Sequence, residues 1–183
     1  AYPDGVTTIG TATFRNCKSL VTVGVDDKLT AIGSSAFEGC TALRSFVIPD
    51  GVVDVNSSAF KNDTALASVT IGNGVYKISS DVFKGCTALS DVTIGIKLDT
   101  INDGAFGGCS ALTSIALPAS IRDVDAGAFK GCTALSSVSM PEGGTYTTDG
   151  SALYSNGTLV VLLNKSARSY AVADGTTSIA DCA

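Results

Sequence analysis

Phenylalanine returns at Phe14, Phe37, Phe60, Phe83, Phe106 and Phe129, each 23 residues after the last, with no insertion between the first copy and the sixth. A chain with that spacing folds as a stack. Around each ring the same apolar positions recur, as Ile32, Phe37, Cys40, Leu43, Phe46 and Ile48 in one copy and Ile101, Phe106, Cys109, Leu112, Ile115 and Leu117 in another. One copy is too small to bury those side chains alone, whereas stacked copies share a continuous core, so a repeat of this length marks a solenoid.

Within a copy, apolar residues at Leu43, Phe46 and Ile48 alternate inward and outward, which predicts a strand over Ser45-Phe46-Val47-Ile48. Successive copies run in the same direction, so these strands are expected to pair in parallel, roughly 4.8 Å apart, as one sheet face along the stack. Pro49, Pro118 and Pro141 follow the strand. Proline has no N–H for the ladder and turns the chain round a corner. The return half carries Val52, Val55 and Ala59-Phe60. There, Ser34-Ser35-Ala36-Phe37-Glu38-Gly39 sets a serine before a short apolar turn and a glycine after it. This predicts one turn of α or 3₁₀ helix on the outer side, closed by Gly39, Gly85, Gly108 and Gly131 rather than a phosphate-binding loop.

The column three residues after phenylalanine reads Cys17, Cys40, Asp63, Cys86, Cys109 and Cys132. Cysteine in such a register acts as a small hydrophobe, and buried free thiols are expected over disulfides. No metal site is expected, because histidine is absent and no two cysteines stand at zinc-ligand spacing. Asp63 breaks the column. A carboxylate aimed into an apolar core is costly, so Asn62-Asp63 is expected to distort the third copy locally.

The register lapses after Met140. Asn156-Gly157 lies between two β-rich runs, which predicts an inserted β-hairpin over residues 146 to 163. The expected organisation is a single solenoid domain over 1–183: six regular repeats to residue 141, a degenerate repeat with the hairpin over 142–171, and a truncated repeat over 172–183. Asp4-Gly-Val-Thr-Thr-Ile9 enters the repeat part-way and Asp174-Gly-Thr-Thr-Ser-Ile179 begins another copy, as expected of an excerpt from a longer protein.

The formal net charge is −5, which argues against nucleic acid and acidic membranes as partners, since both require a basic face. Leu159-Val-Val-Leu-Leu163 is far shorter than the ~20 apolar residues of a membrane-spanning helix. Four N-x-[ST] sequons stand at Asn56, Asn62, Asn156 and Asn164, as a chain rich in Ser and Thr would carry by chance.

The string Ile32-Gly-Ser-Ser-Ala-Phe37-Glu-Gly-Cys40-Thr-Ala-Leu43-Arg-Ser-Phe46-Val-Ile48-Pro49 resembles the BspA-like leucine-rich repeat family, with its consensus I-G-x-x-A-F-x-x-C-x-x-L-x-x-[IV]-x-[IL]-P. The resemblance covers residues 4 to 141 and resumes at 172. Asp149-Gly150, Leu153-Tyr154 and Leu159 are similar to the family's D-G-V-L-Y interruption. Departures are Asp63 for cysteine and Gly72 and Gly95 for proline. The resemblance implies an α/β repeat solenoid: a right-handed superhelix with one parallel β-sheet face, short α or 3₁₀ turns on the outer face, and the inserted hairpin. It also implies an extracellular or cell-surface protein, secreted or anchored, that adheres to a host extracellular or cell-surface protein.

Catalysis is not expected. Without histidine there is no Ser-His or Cys-His pair, and Asp26-Asp27, Asp123 and Asp125 recur irregularly, as solvated loop charges do. No cofactor is implied. The outward strand positions form two columns: Thr22, Ser45, Ser68, Asp91, Ser114 and Ser137, and beside them Gly24, Val47, Thr70, Thr93, Ala116 and Ser139. With Arg44, these short side chains make a flat hydroxyl-bearing face, and Thr22, Arg44, Ser45, Val47, Ser68, Thr70, Asp91, Thr93, Ser114, Ser137 and Ser139 are the candidate ligand-binding residues. Solenoids bind along such faces. The row after phenylalanine, Arg15, Glu38, Lys61, Lys84, Gly107 and Lys130, reads as a solvated outer edge. The reading is a non-enzymatic, adhesin-like protein-binding module; the alternatives are a structural spacer or stalk of a surface protein, and a glycan-binding module, though the columns lack aromatic platforms for sugars.

Overall fold

The structure, a computed structural model, describes residues 5–163 and 169–180. In chain order its strands are β1 (Thr8–Ile9), β2 (Ala31–Ile32), β3 (Ser45–Ile48), β4 (Asp54–Val55), β5 (Ser68–Ile71), β6 (Lys77–Ile78), β7 (Asp91–Ile94) and β8 (Thr100–Ile101). Then come β9 (Ser114–Ala116), β10 (Asp123–Val124), β11 (Ser137–Ser139), β12 (Thr147–Thr148), β13 (Ala152–Ser155), β14 (Thr158–Leu162) and β15 (Ser178–Ile179).

The long strands form where alternation predicts them: β3 shows an exposed-buried-exposed-buried pattern with Phe46 and Ile48 inside. They pair in parallel as β3-β5-β7 and β9-β11. The first copy differs from expectation, since Thr22 and its neighbours lie in no strand.

A single sheet face was expected, and there are two. The return half also extends, as two-residue strands in the order β1-β2-β4-β6-β8-β10, all parallel. Each contributes one inward β-branched residue, from Ile9 through Ile32, Val55, Ile78 and Ile101 to Val124, and each of these is at most 3% exposed. A stiff β-branched side chain stacked on its copy one turn away favours extended backbone.

The expected helical turns are absent: among the described residues there is no helix. Ser35 and Gly39 both take positive φ, at 54° and 77°. Two left-handed residues within five positions stop a right-handed helix from propagating. The amides of Ser35, Phe37 and Gly39 donate to the carbonyls of Ser57, Ala59 and Lys61 on the next turn, while those of Ala36, Glu38 and Cys40 donate to the carbonyl three residues back. At least half of these amides therefore hold one turn to the next. Glycine closes these turns at Gly39, Gly85, Gly108 and Gly131, and Asn16 and Asn62 adopt the same left-handed conformation at φ 59° and 63°.

The core is a set of columns. Phenylalanine rings stack at centroid spacings of 5.1 Å from Phe14 to Phe37 and 5.5 Å from Phe106 to Phe129, with interplanar angles of 10° and 7°. Where proline is replaced, Gly72 lets adjacent turns approach: a Cβ there would lie 2.5 Å from Pro49 O.

Asp63 does not distort the third copy. The ladder continues in register on both sides, with Ser45 opposite Ser68 and Asp54 opposite Lys77. The carboxyl group is fully buried, and Cys40 N donates to its Oδ1 at 2.7 Å. Cys40, Cys86, Cys109 and Cys132 are buried free thiols; Cys17, expected to be buried, is exposed, and Cys182 lies outside the described residues.

The hairpin forms as β13 and β14, antiparallel, with Ser155 opposite Thr158 across Asn156-Gly157. β12 adds antiparallel to β13, and β14 pairs in parallel with β15, so the hairpin belongs to a four-stranded sheet. Asp149 anchors it. Its carboxylate accepts the amides of Ser151 and Ala152 at 2.8 and 2.9 Å and the hydroxyls of Tyr154 and Tyr170. Burial tends to raise its pKa, and these four donors outweigh that and hold it below the usual carboxylate range.

Candidate interaction surface

Strand pairing brings the outward residues into rows. Ser45 stands opposite Ser68 and Ser68 opposite Asp91, while Val47, Thr70 and Thr93 form the neighbouring row. Ser114 pairs with Ser137, and Ala116 with Ser139. Ser45, Val47, Thr70, Asp91, Thr93, Ser114, Ser137 and Ser139 are exposed, and Ser68 is half-buried. Val47, 61% exposed, is the apolar element of this face. Arg44 is exposed just ahead of β3, and its carbonyl accepts the amide of Ala67. Thr22 is exposed outside the ladder, so the structure separates it from the paired rows. The rows form two blocks, β3-β5-β7 and β9-β11.

The outer row is more ordered than a solvated edge. Arg15 pairs with Glu38 on the next turn at 3.2 Å, and Lys61 and Lys84 both bind Asp81, at 3.0 and 3.1 Å. Lys130 makes no ion pair among the described residues. Between Lys84 and Lys130 the row lapses to Gly107, and with Gly104, Gly108 and Gly127 this opens a groove of about 730 Å³. That lapse was legible in the column itself.

Outside the long strands, Val53 (51%), Tyr76 (52%) and Ile96 (72%) are exposed. Sequence reasoning passed these over because they fall in the corner and return segments, where no alternation separates outward from inward positions. Among the described residues there is no group of three His, Cys, Asp or Glu placed to hold a metal, and no helix long and apolar enough to cross a membrane.

The family model described as BspA type leucine rich repeat region, in six copies, matches residues 1–111 and 53–169. Among solved structures, a leucine rich cell surface protein from Faecalibacterium prausnitzii is 34% identical with a TM-score of 0.74, over 85% of this chain and 43% of that one. The leucine rich repeat protein of T. pallidum is also 34% identical, with a TM-score of 0.71, over 75% of this chain and 65% of that one. A leucine-rich repeat protein from Eubacterium ventriosum is 28% identical, with a TM-score of 0.64, over 82% and 39%. This chain thus spans less than two thirds of each of these relatives. No curated protein matches it. The repeat register, the parallel sheets and these matches agree, and the chain belongs to the BspA type leucine rich repeat family.

Proposed function

We propose that this chain is a non-enzymatic, adhesin-like interaction module of a cell-surface or secreted protein, and that it binds a protein ligand along the face of its long strands. One observation carries the reading: Ser45, Val47, Thr70, Asp91 and Thr93 are exposed and aligned in register over three consecutive strands. Short side chains let a protein surface approach closely and lose little rotamer freedom on burial. Solenoids use such extended faces for recognition. The cell-surface description of the F. prausnitzii relative supports the compartment.

Charge insertion tests the site. Ser45, Thr70 and Thr93 replaced together by Glu abolish adhesion to a panel of immobilised host extracellular proteins, and stability changes little, since exposed positions shift it by about 0.5 kcal/mol each. Replacing Lys61, Lys84 and Lys130 by Gln leaves adhesion intact. Loss of adhesion in the lysine variant alone moves the site to the outer row. A wild-type chain that binds neither these proteins nor a carbohydrate array is a spacer.

A further inference from the structure

Residue 63 stands in a column whose other buried members are thiol donors. Cys40 Sγ donates to Phe14 O at 3.1 Å, Cys86 Sγ to Phe60 O at 3.0 Å, Cys109 Sγ to Phe83 O at 3.3 Å and Cys132 Sγ to Phe106 O at 3.0 Å. Each thiol reaches back 26 residues to a phenylalanine carbonyl, and the same offset from residue 63 leads to Phe37. A carboxylate cannot donate; a carboxylic acid can.

The surroundings favour the acid. Asp63 is 0% exposed, Oδ1 is occupied by the amide of Cys40, and Oδ2 has no hydrogen-bond partner. No ion pair among the described residues involves it. Its titratable neighbours are the thiols of Cys40 and Cys86 on the turns to either side and Glu38 on the outer row, none of them a cation. An unpaired charge in that position is the costliest way to fill it.

We propose that Asp63 is a neutral carboxylic acid in the folded chain, and that its ionisation is a pH-triggered release that loosens the stack at the third turn. An ionised Oδ2 requires water, which reaches it only if residues 60 to 66 separate from the turn on one side. The Cys40 N to Asp63 Oδ1 and Cys86 Sγ to Phe60 O bonds span those two junctions. In agreement, burial pushes the pKa of Asp63 up to about 8; the amides of Cys40 and Gly39 act the other way, and Glu38 adds to the rise. The folded form thus keeps a proton that the unfolded chain releases near pH 4. Stability from this group is complete below that pH and is lost as pH rises to about 8.

The test is unfolding of the wild type, Asp63→Asn and Asp63→Cys across pH 5 to 9. Relative to both variants, the wild-type folding constant falls by as much as tenfold per pH unit up to about pH 8, then levels. Parallel profiles in all three proteins overturn the proposal. The carboxyl ¹³C signal of Asp63 in the wild type gives an independent reading should the Asn variant fail to fold: a step near pH 8 supports the acid, and one in the ordinary carboxylate range overturns it. Amide exchange locates the release. Acceleration at Cys40 beyond that at Ile101 as pH rises supports loosening at the third turn, and uniform acceleration overturns it.

Discussion

Tyr146 Oη accepts the amide of Val124 at 3.0 Å, one repeat beyond β10, the last strand of the six-stranded sheet, so a side chain terminates that sheet where the backbone register lapses. Both residues are buried, at 6% and 3% exposure. Tyr146→Phe keeps the ring and strips the acceptor from a buried N–H, which costs about 1–3 kcal/mol. Urea denaturation measures it; a change within error means that Val124 finds another acceptor.

Phe83 lies between Phe60 and Phe106, with ring centroids 5.5 and 5.4 Å away, and is 1% exposed. Phe83→Ala leaves a cavity bounded by two other turns and destabilises the fold by about 3–5 kcal/mol. A loss below about 1 kcal/mol would sink the stacking register.

The thiols of Cys40, Cys86 and Cys109 are hard to ionise. Burial pushes Cys40 up to about 12, with Asp63 adding to the rise once it is ionised, and the same two causes raise Cys86. In Cys109 the hydrogen bond with Cys132 and burial act together. Because the thiolate is the reactive form, native alkylation is expected to label exposed Cys17 rapidly and these three slowly. Denaturing alkylation without reductant labels all six cysteines of the sequence; a smaller mass shift reveals a disulfide.

Asp81 serves two lysines from a left-handed backbone, at φ 61°. Burial tends to raise its pKa, but the hydrogen bonds and charges of Lys61 and Lys84 prevail and hold it below the usual carboxylate range. The stability it contributes is present above the unfolded-chain pKa and lost as pH falls through the depressed folded value. Asn tolerates the same backbone. Asp81→Asn is therefore expected to lower the melting temperature slightly at neutral pH and low salt, within the range of exposed pairs, up to about 1 kcal/mol. The gap closes in acid; one that persists there is not electrostatic.

The sequence by itself determined the period, the inward columns, the strand at Ser45–Ile48, the proline corners and the hairpin turn at Asn156-Gly157, because each is local chemistry repeated at a constant interval. It also put Ser45, Thr70 and Thr93 on the outward side, since alternation alone separates the faces of a strand. Three features needed the tertiary structure. The outer segment from Ser34 to Gly39 reads locally as a helical turn, yet the next turn offers carbonyls to Ser35, Phe37 and Gly39, and meeting them requires left-handed residues that end a helix. The two-residue strands are too short to show alternation, so the second sheet exists only through its neighbours. Asp63 reads in sequence as a local distortion of the third copy. Its inward place became visible only with the amide of Cys40 one turn away, 23 residues off in sequence but 2.7 Å from Oδ1, because in a stack a residue's partners belong to the adjoining turns rather than to its own.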